Sequence, residues 1–82
     1  MAIVTVRYFA AASEAAGREQ EQLDLGPDPT LGGLREVLVR NYGEPMARVL
    51  RSGSFLLDGV VRREPDHPTG AQVDILPPFA GG

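Results

Sequence analysis

Val73-Asp74-Ile75-Leu76-Pro77-Pro78 decides how this chain folds. Residues 71–76 alternate, with Val73 and Ile75 on one side and Gln72, Asp74 and Leu76 on the other, which is the period of a strand. Pro77-Pro78 ends it, because neither residue has an N–H to give to a ladder and both hold the chain extended. A segment of matching character lies at the other end of the chain. Residues 3–9, Ile-Val-Thr-Val-Arg-Tyr-Phe, are rich in β-branched and aromatic residues; Val4, Val6 and Tyr8 share one face and Phe9 the opposite one. These two segments are the most apolar strands, so they belong side by side in the centre of a mixed sheet.

The segments between them supply the rest. Residues 10–16 are alanine-rich and close at Gly17, a short helix with glycine just past its end. Residues 19–25 alternate weakly around Leu23 and Leu25 and stop at Gly26-Pro27, a second strand antiparallel to the first. Thr30 is placed to cap a helix whose apolar positions Leu31, Leu34, Val37, Leu38 and Tyr42 fall along one face, with Gly43 and Pro45 as its stop. Gly32 and Gly33 in its first turn cost helix stability, about 1 kcal/mol each relative to alanine, which close approach to a sheet would justify. Residues 46–51 read as one further turn. Asp58-Gly59, between strands at 54–57 and 60–63, is the signal for a type I′ hairpin, and 64–70 is a polar loop. The order strand, strand, helix, strand, strand, strand predicts an α+β protein of the β-grasp, or ubiquitin-like, class. We expect a mixed five-stranded sheet, one main helix and a flexible C-terminal tail. The domain reading is a single β-grasp domain, 1–82, globular over 1–76 with an extended tail over 77–82.

Composition removes several kinds of function. An 82-residue domain hides roughly 60% of its unfolded surface, enough for one modest core and no deep cleft. With no cysteine there are no disulfides and no thiolate metal or iron–sulfur sites. The net charge is −3 and the eight basic residues, all arginine, are dispersed, so nucleic acid is not an expected partner. Arg7 interrupts what would be the apolar core of a signal peptide, and no stretch is long enough to span a membrane, so the expected location is the cytoplasm.

An in-chain active site is not expected. His67 is the only histidine and sits in the Asp66-His67-Pro68 loop, where it reads as a turn residue. No base marks Ser13, Ser52 or Ser54 for activation, and the carboxylates form no paired-acid or calcium-loop pattern. No phosphate-cradling glycine motif follows a strand, and no metal or cofactor site is expected. The end of the chain differs. After Pro77-Pro78 comes Phe79-Ala80-Gly81-Gly82, and six residues from Pro77 reach roughly 20 Å. Gly81 and Gly82 have no Cβ, so they can thread a narrow channel at any backbone angle. A carboxylate at Gly82 is ionised at neutral pH and a poor electrophile. Adenylation would make it a mixed anhydride that a sulfur nucleophile can attack, and glycine keeps side chains out of both steps.

The tail from Val73 to Gly82, together with the opening Val4-Thr5-Val6-Arg7-Tyr8-Phe9-Ala10, resembles the small subunit of molybdopterin synthase, a sulfur carrier of the ubiquitin-like MoaD/ThiS type. Leu57-Asp58-Gly59 and Gly70 sit where that family has its hairpin and last turn, and the resemblance spans essentially the whole chain. It departs in two places: Gly70 is followed by Ala71 rather than aspartate, and the tail begins with the bulky Phe79. The resemblance implies that an E1-like enzyme, using ATP, adenylates Gly82, and that a sulfur donor converts it to a thiocarboxylate. The charged tail, Gly81 included, would enter a larger catalytic subunit and give sulfur to a pterin precursor during molybdenum-cofactor synthesis. The chain would not be an enzyme alone, would hold no cofactor stably, and would join the large subunit in a heterotetramer. The family also implies a docking surface formed by Phe9, Val61 and Leu76, with Phe79 on the tail. Two alternatives share the tail chemistry: a thiocarboxylate carrier for thiamine or cysteine synthesis, and a ubiquitin-like protein modifier.

Overall fold

The computed structural model describes residues 3–78. Strand β1 (Ile3–Tyr8) lies between β2 (Gln20–Asp24), antiparallel to it, and β5 (Gln72–Leu76), parallel to it. Beyond β5 come β3 (Ser54–Leu57) and β4 (Val60–Arg62), both in antiparallel pairing, which gives the five-stranded order β2-β1-β5-β3-β4. The two apolar strands are therefore neighbours inside a mixed sheet, as their composition predicts. Asp58 and Gly59 both take positive φ, 51° and 79°, the pair of values a type I′ turn demands.

One face of the sheet is covered by three helices. Val4, Val6, Val73 and Ile75 have no exposed surface and, with Tyr8, Phe55 and Leu57, form the sheet side of the core. Helix α1 (Ala11–Ala16) adds Ala12 and Ala16 and ends on left-handed Gly17. Helix α2 (Leu31–Tyr42) adds Leu31, Leu34 and Leu38. Helix α3 (Glu44–Ser52) adds Met46, Val49 and Leu50.

The third helix corrects the sequence reading, which allowed one turn at 46–51. Gly43, at φ 75°, ends α2 with its N–H on the Val39 carbonyl (2.8 Å) and starts α3 with its own carbonyl accepting from Ala47 (3.1 Å). Pro45 falls in the first turn of α3, where its missing N–H has no helical partner to lose, so it opens a helix rather than closing one. With α3 in place, α2 is packed on two flanks. Val39, not Val37, joins the partly buried residues against the core.

The glycines at the start of α2 also have a different cause from the one expected. A Cβ on Gly32 would lie 3.2 Å from both the Cβ and the carbonyl oxygen of Pro65, so the close neighbour is the 64–70 loop and not the sheet. That loop closes the helix end. The Leu31 N–H donates to the His67 carbonyl (2.9 Å), the Gly32 N–H to the Pro65 carbonyl (2.9 Å), and the Gly33 N–H to Thr30 Oγ1 (3.2 Å). Three of the four N–H groups that a helix start leaves without partners are thus satisfied. His67 is a loop residue here, its Nδ1 2.8 Å from the Pro68 carbonyl.

Candidate functional site

Strand parity builds a second, uncovered face. Residues directly opposite one another in a ladder share a face, so the register places Gln20, Arg7, Asp74, Leu56 and Val61 in one row across all five strands. The next row, toward the end where the chain leaves the sheet, contains Leu76 opposite Ser54. Phe9 continues β1 into that row, its N–H donating to the Ile75 carbonyl (3.2 Å). Phe9 is 37% exposed and Val61 49%, and Leu76 and Leu56 are half-buried. Phe9, Val61 and Leu76, singled out from the sequence, are thereby brought to one face, with Leu56 between them.

Charge organises the same surface. Arg7 Nε lies 3.0 Å from Asp74 Oδ1, and its guanidinium carbon is 5.3 Å from the centre of the Phe9 ring. Gln72 Nε2 donates to the same Asp74 oxygen at 3.3 Å. The guanidinium is thus held against its neighbours, and the ring is held beside it. At the edge of the row, Arg63 Nη2 donates to Ser54 Oγ (3.1 Å).

The root of the tail is fixed by a residue the sequence reading passed over. Gly53 is buried at the start of β3, and a Cβ there would stand 2.1 Å from the Leu76 carbonyl oxygen and 2.8 Å from that of Val49. No other residue type fits while the backbone keeps this path. Gly53 therefore lets the last carbonyl of β5, that of Leu76, pack directly against the backbone that opens β3. Its φ is −93°, so nothing in the local sequence marks it as obligatory; the need comes from a strand remote in sequence. Leu56 was legible from the alternation of 54–57, which separates Phe55 and Leu57 from Ser54 and Leu56. The Arg7–Asp74 pair required the β1–β5 register. Phe79, Gly81 and Gly82, the other expected site residues, lie outside the described residues.

Behind this face, β1, β2 and α2 are tied by a polar knot. The Tyr8 and Tyr42 hydroxyls both donate to Glu21 Oε2, and Arg18 Nη1 sits 3.3 Å from Oε1. The two rings meet edge to face at 6.2 Å. Burial, reinforced by the hydrogen bond to Glu21 and by its charge, pushes the Tyr8 hydroxyl well above the ordinary tyrosine range, and Tyr42 shifts the same way for the same reasons. Both hydroxyls are donors locked onto one carboxylate, a structural use rather than a reactive one. Among the described residues no group of three potential metal ligands occurs, and no helix is long and apolar enough to cross a membrane.

Comparison with known proteins places this architecture. A model of the ThiS family matches residues 6–82. Among solved structures, the putative molybdopterin converting factor subunit 1 from Pyrococcus furiosus superposes with a TM-score of 0.80 at 19% identity, over 96% of this chain and 100% of that one. Small archaeal modifier protein 1 from Haloferax volcanii gives 0.78 at 23%, over 96% and 100%. A chain in the complex of subunits 1 and 2 of molybdopterin-converting factor from Helicobacter pylori gives 0.68 at 23%, over 98% and 99%. At these identities the structural matches show a shared fold. No curated protein matches at a significant level. The β-grasp sheet and the family match over nearly the whole length lead to one conclusion: the chain belongs to the ThiS family, with the fold of the MoaD/ThiS-type sulfur carriers.

Proposed function

We propose that this chain is the sulfur-carrying small subunit of a molybdopterin synthase-type sulfurtransferase, with the Gly82 carboxylate as the group that carries sulfur. One observation carries the reading: the uncovered sheet face converges on the root of the tail, so a protein that covers Phe9, Leu56, Val61 and Leu76 also receives whatever follows Pro77. Large apolar residues gathered on an exposed face favour a protein partner. In the first stage a Gly82 oxygen attacks the α-phosphorus of ATP bound to an E1-like enzyme, and pyrophosphate leaves. In the second, sulfide from a sulfur donor attacks the acyl carbon, AMP leaves, and a thiocarboxylate remains. The chain supplies no catalytic side chain to either step; its part is to present an unhindered carbonyl on a tether of known root. A large subunit would then accept Phe79 and Gly81-Gly82 and pass the sulfur to a pterin precursor. The Helicobacter pylori match is a complex of subunits 1 and 2, which favours this partner.

The test is the intact mass after incubation with ATP, a sulfur source and the E1-like enzyme of the same cell. Replacement of one oxygen by sulfur, mapped to the last peptide and lost when Gly82 is removed, is the expected result. No change with an enzyme shown to be competent would sink the carrier reading. Offering the charged protein to the large subunit and its pterin substrate then separates this pathway from thiamine or cysteine synthesis.

A second reading is favoured by the match to a small archaeal modifier protein: Gly82 joined to amines of other proteins. Conjugates to lysine side chains in cells, abolished by deleting Gly81-Gly82, would identify it.

A further inference from the structure

Beside the tail root, at the seam between the helices and the sheet, lies a cavity of about 210 Å³ lined by Arg35, Leu50, Arg51, Gly53, Ser54, Phe55 and Arg63. Its three arginines come from three different elements: the first half of α2, the last turn of α3, and the residue after β4. Two have internal contacts. Arg51 Nη2 pairs with Glu44 Oε1 at 2.9 Å, and Arg63 Nη2 donates to Ser54 Oγ at 3.1 Å. Arg35 has no carboxylate within ion-pair distance among the described residues. Glu44 offsets Arg51, and Glu64 follows Arg63, its Oε1 accepting from the Arg63 N–H at 3.0 Å, so the corner keeps a net positive charge through Arg35 on a chain whose net charge is −3. The acidic loop residues Asp28, Asp58 and Asp66 lie at the other end of the strands, where β1 and β5 begin and the β3–β4 hairpin turns. The basic corner is also continuous with the uncovered face, since Ser54 lies opposite Leu76 and holds Arg63.

We propose that the Arg35–Arg51–Arg63 pocket is a second recognition element, which receives carboxylate side chains of the activating enzyme and so orients the carrier before its tail enters. The inference rests on the carrier reading for its partner, but not for the existence of the site. A planar guanidinium binds a carboxylate through two parallel hydrogen bonds, which fixes direction as well as adding attraction. A basic corner beside the tail root of an acidic molecule favours encounters with an acidic surface in which the tail root faces it. The apolar face alone cannot do this, because hydrophobic attraction has no direction.

Two measurements test it. In the first, the chain alone is titrated with the acidic tripeptide acetyl-Glu-Glu-Glu-amide, and separately with inorganic phosphate, while the arginine Nε resonances are followed by NMR. Saturable shifts at Arg35 and Arg63, absent at Arg18 beside the opposite edge strand β2, are expected with the peptide. Shifts spread evenly over all arginines, or saturation by phosphate with none by peptide, would overturn the carboxylate site. In the second, activation by the E1-like enzyme is compared for wild type, Arg35→Glu/Arg63→Glu and the control Arg18→Glu, with folding checked by thermal melts. The double variant should raise KM for the carrier about tenfold with kcat retained, and the gap should close as salt rises. Equal KM values would refute the role toward the activating enzyme. Peptide binding needs no activation, so a chain that binds the peptide at Arg35 and Arg63 but is never adenylated would retain the site and lose the carrier reading.

Discussion

Ile75 and Leu76 are adjacent, both branched and apolar, and they serve opposite faces of the same strand. Ile75 is fully buried among Val6, Tyr8 and Phe55 of the neighbouring strands, while Leu76 is half-buried on the side the helices leave uncovered. The closed face packs Val4, Val6, Val73, Ile75, Phe55 and Leu57 under three helices, where stability follows volume, and takes up the Glu21 carboxylate only with the Tyr8 and Tyr42 hydroxyls on it. The open face mixes Phe9, Leu56, Val61 and Leu76 with an Arg7–Asp74 ion pair and gains little for folding from any of them. The contrast teaches that strand parity alone can separate residues that hold the fold together from residues left uncovered. Hydrophobicity does not distinguish them.

The comparison is broken most directly at position 75. Ile75→Ala should lower unfolding free energy by about 4 kcal/mol, because the fully enclosed site cannot collapse around the void. Denaturant unfolding measures it, and a loss similar to that of Leu76→Ala would erase the distinction between the faces. Gly53→Ala should come next, at about 3 kcal/mol, since its Cβ would press on two carbonyl oxygens and push β5 from β3. A variant that folds normally and is still charged at Gly82 would show that the tail root is not set there.

Tyr8→Phe should cost about 1.5 kcal/mol, by removing one of the two hydroxyl donors to Glu21. It should also change the alkaline limb of stability. The folded state holds the Tyr8 hydroxyl above its unfolded value, so its contribution is complete below about pH 10 and is lost as pH rises beyond that. Thermal melts between neutral pH and the alkaline range should therefore fall more steeply for wild type than for the variant. The smallest effect on stability is expected at Val61→Ser, within about 0.5 kcal/mol. If the proposed assembly is right, its effect on association with a large subunit should be about tenfold or more, as measured by titration calorimetry. Unchanged affinity would remove Val61 from the docking surface.

The β1–β5 pairing was legible because two strands of high β-propensity stood at the ends of the chain, and helix α2 because Thr30 and the spacing of Leu31, Leu34 and Leu38 agree. Asp58-Gly59 announced its turn through φ values few residues tolerate. Helix α3 was misread because Gly43 and Pro45 carry the same letters whether they end one helix or begin another. Which they do depends on whether Met46, Val49 and Leu50 find a core to enter. The sequence by itself determined the period of each strand, and with it the faces of Phe9, Val61 and Leu76, since alternation is a property of the local backbone. Only the tertiary structure decided that these residues form one surface, that Arg7 meets Asp74, that three arginines from separate elements share a pocket, and that Gly53 can be nothing else. Each of those facts joins residues far apart in the chain, and it is register and packing, not local preference, that bring them together.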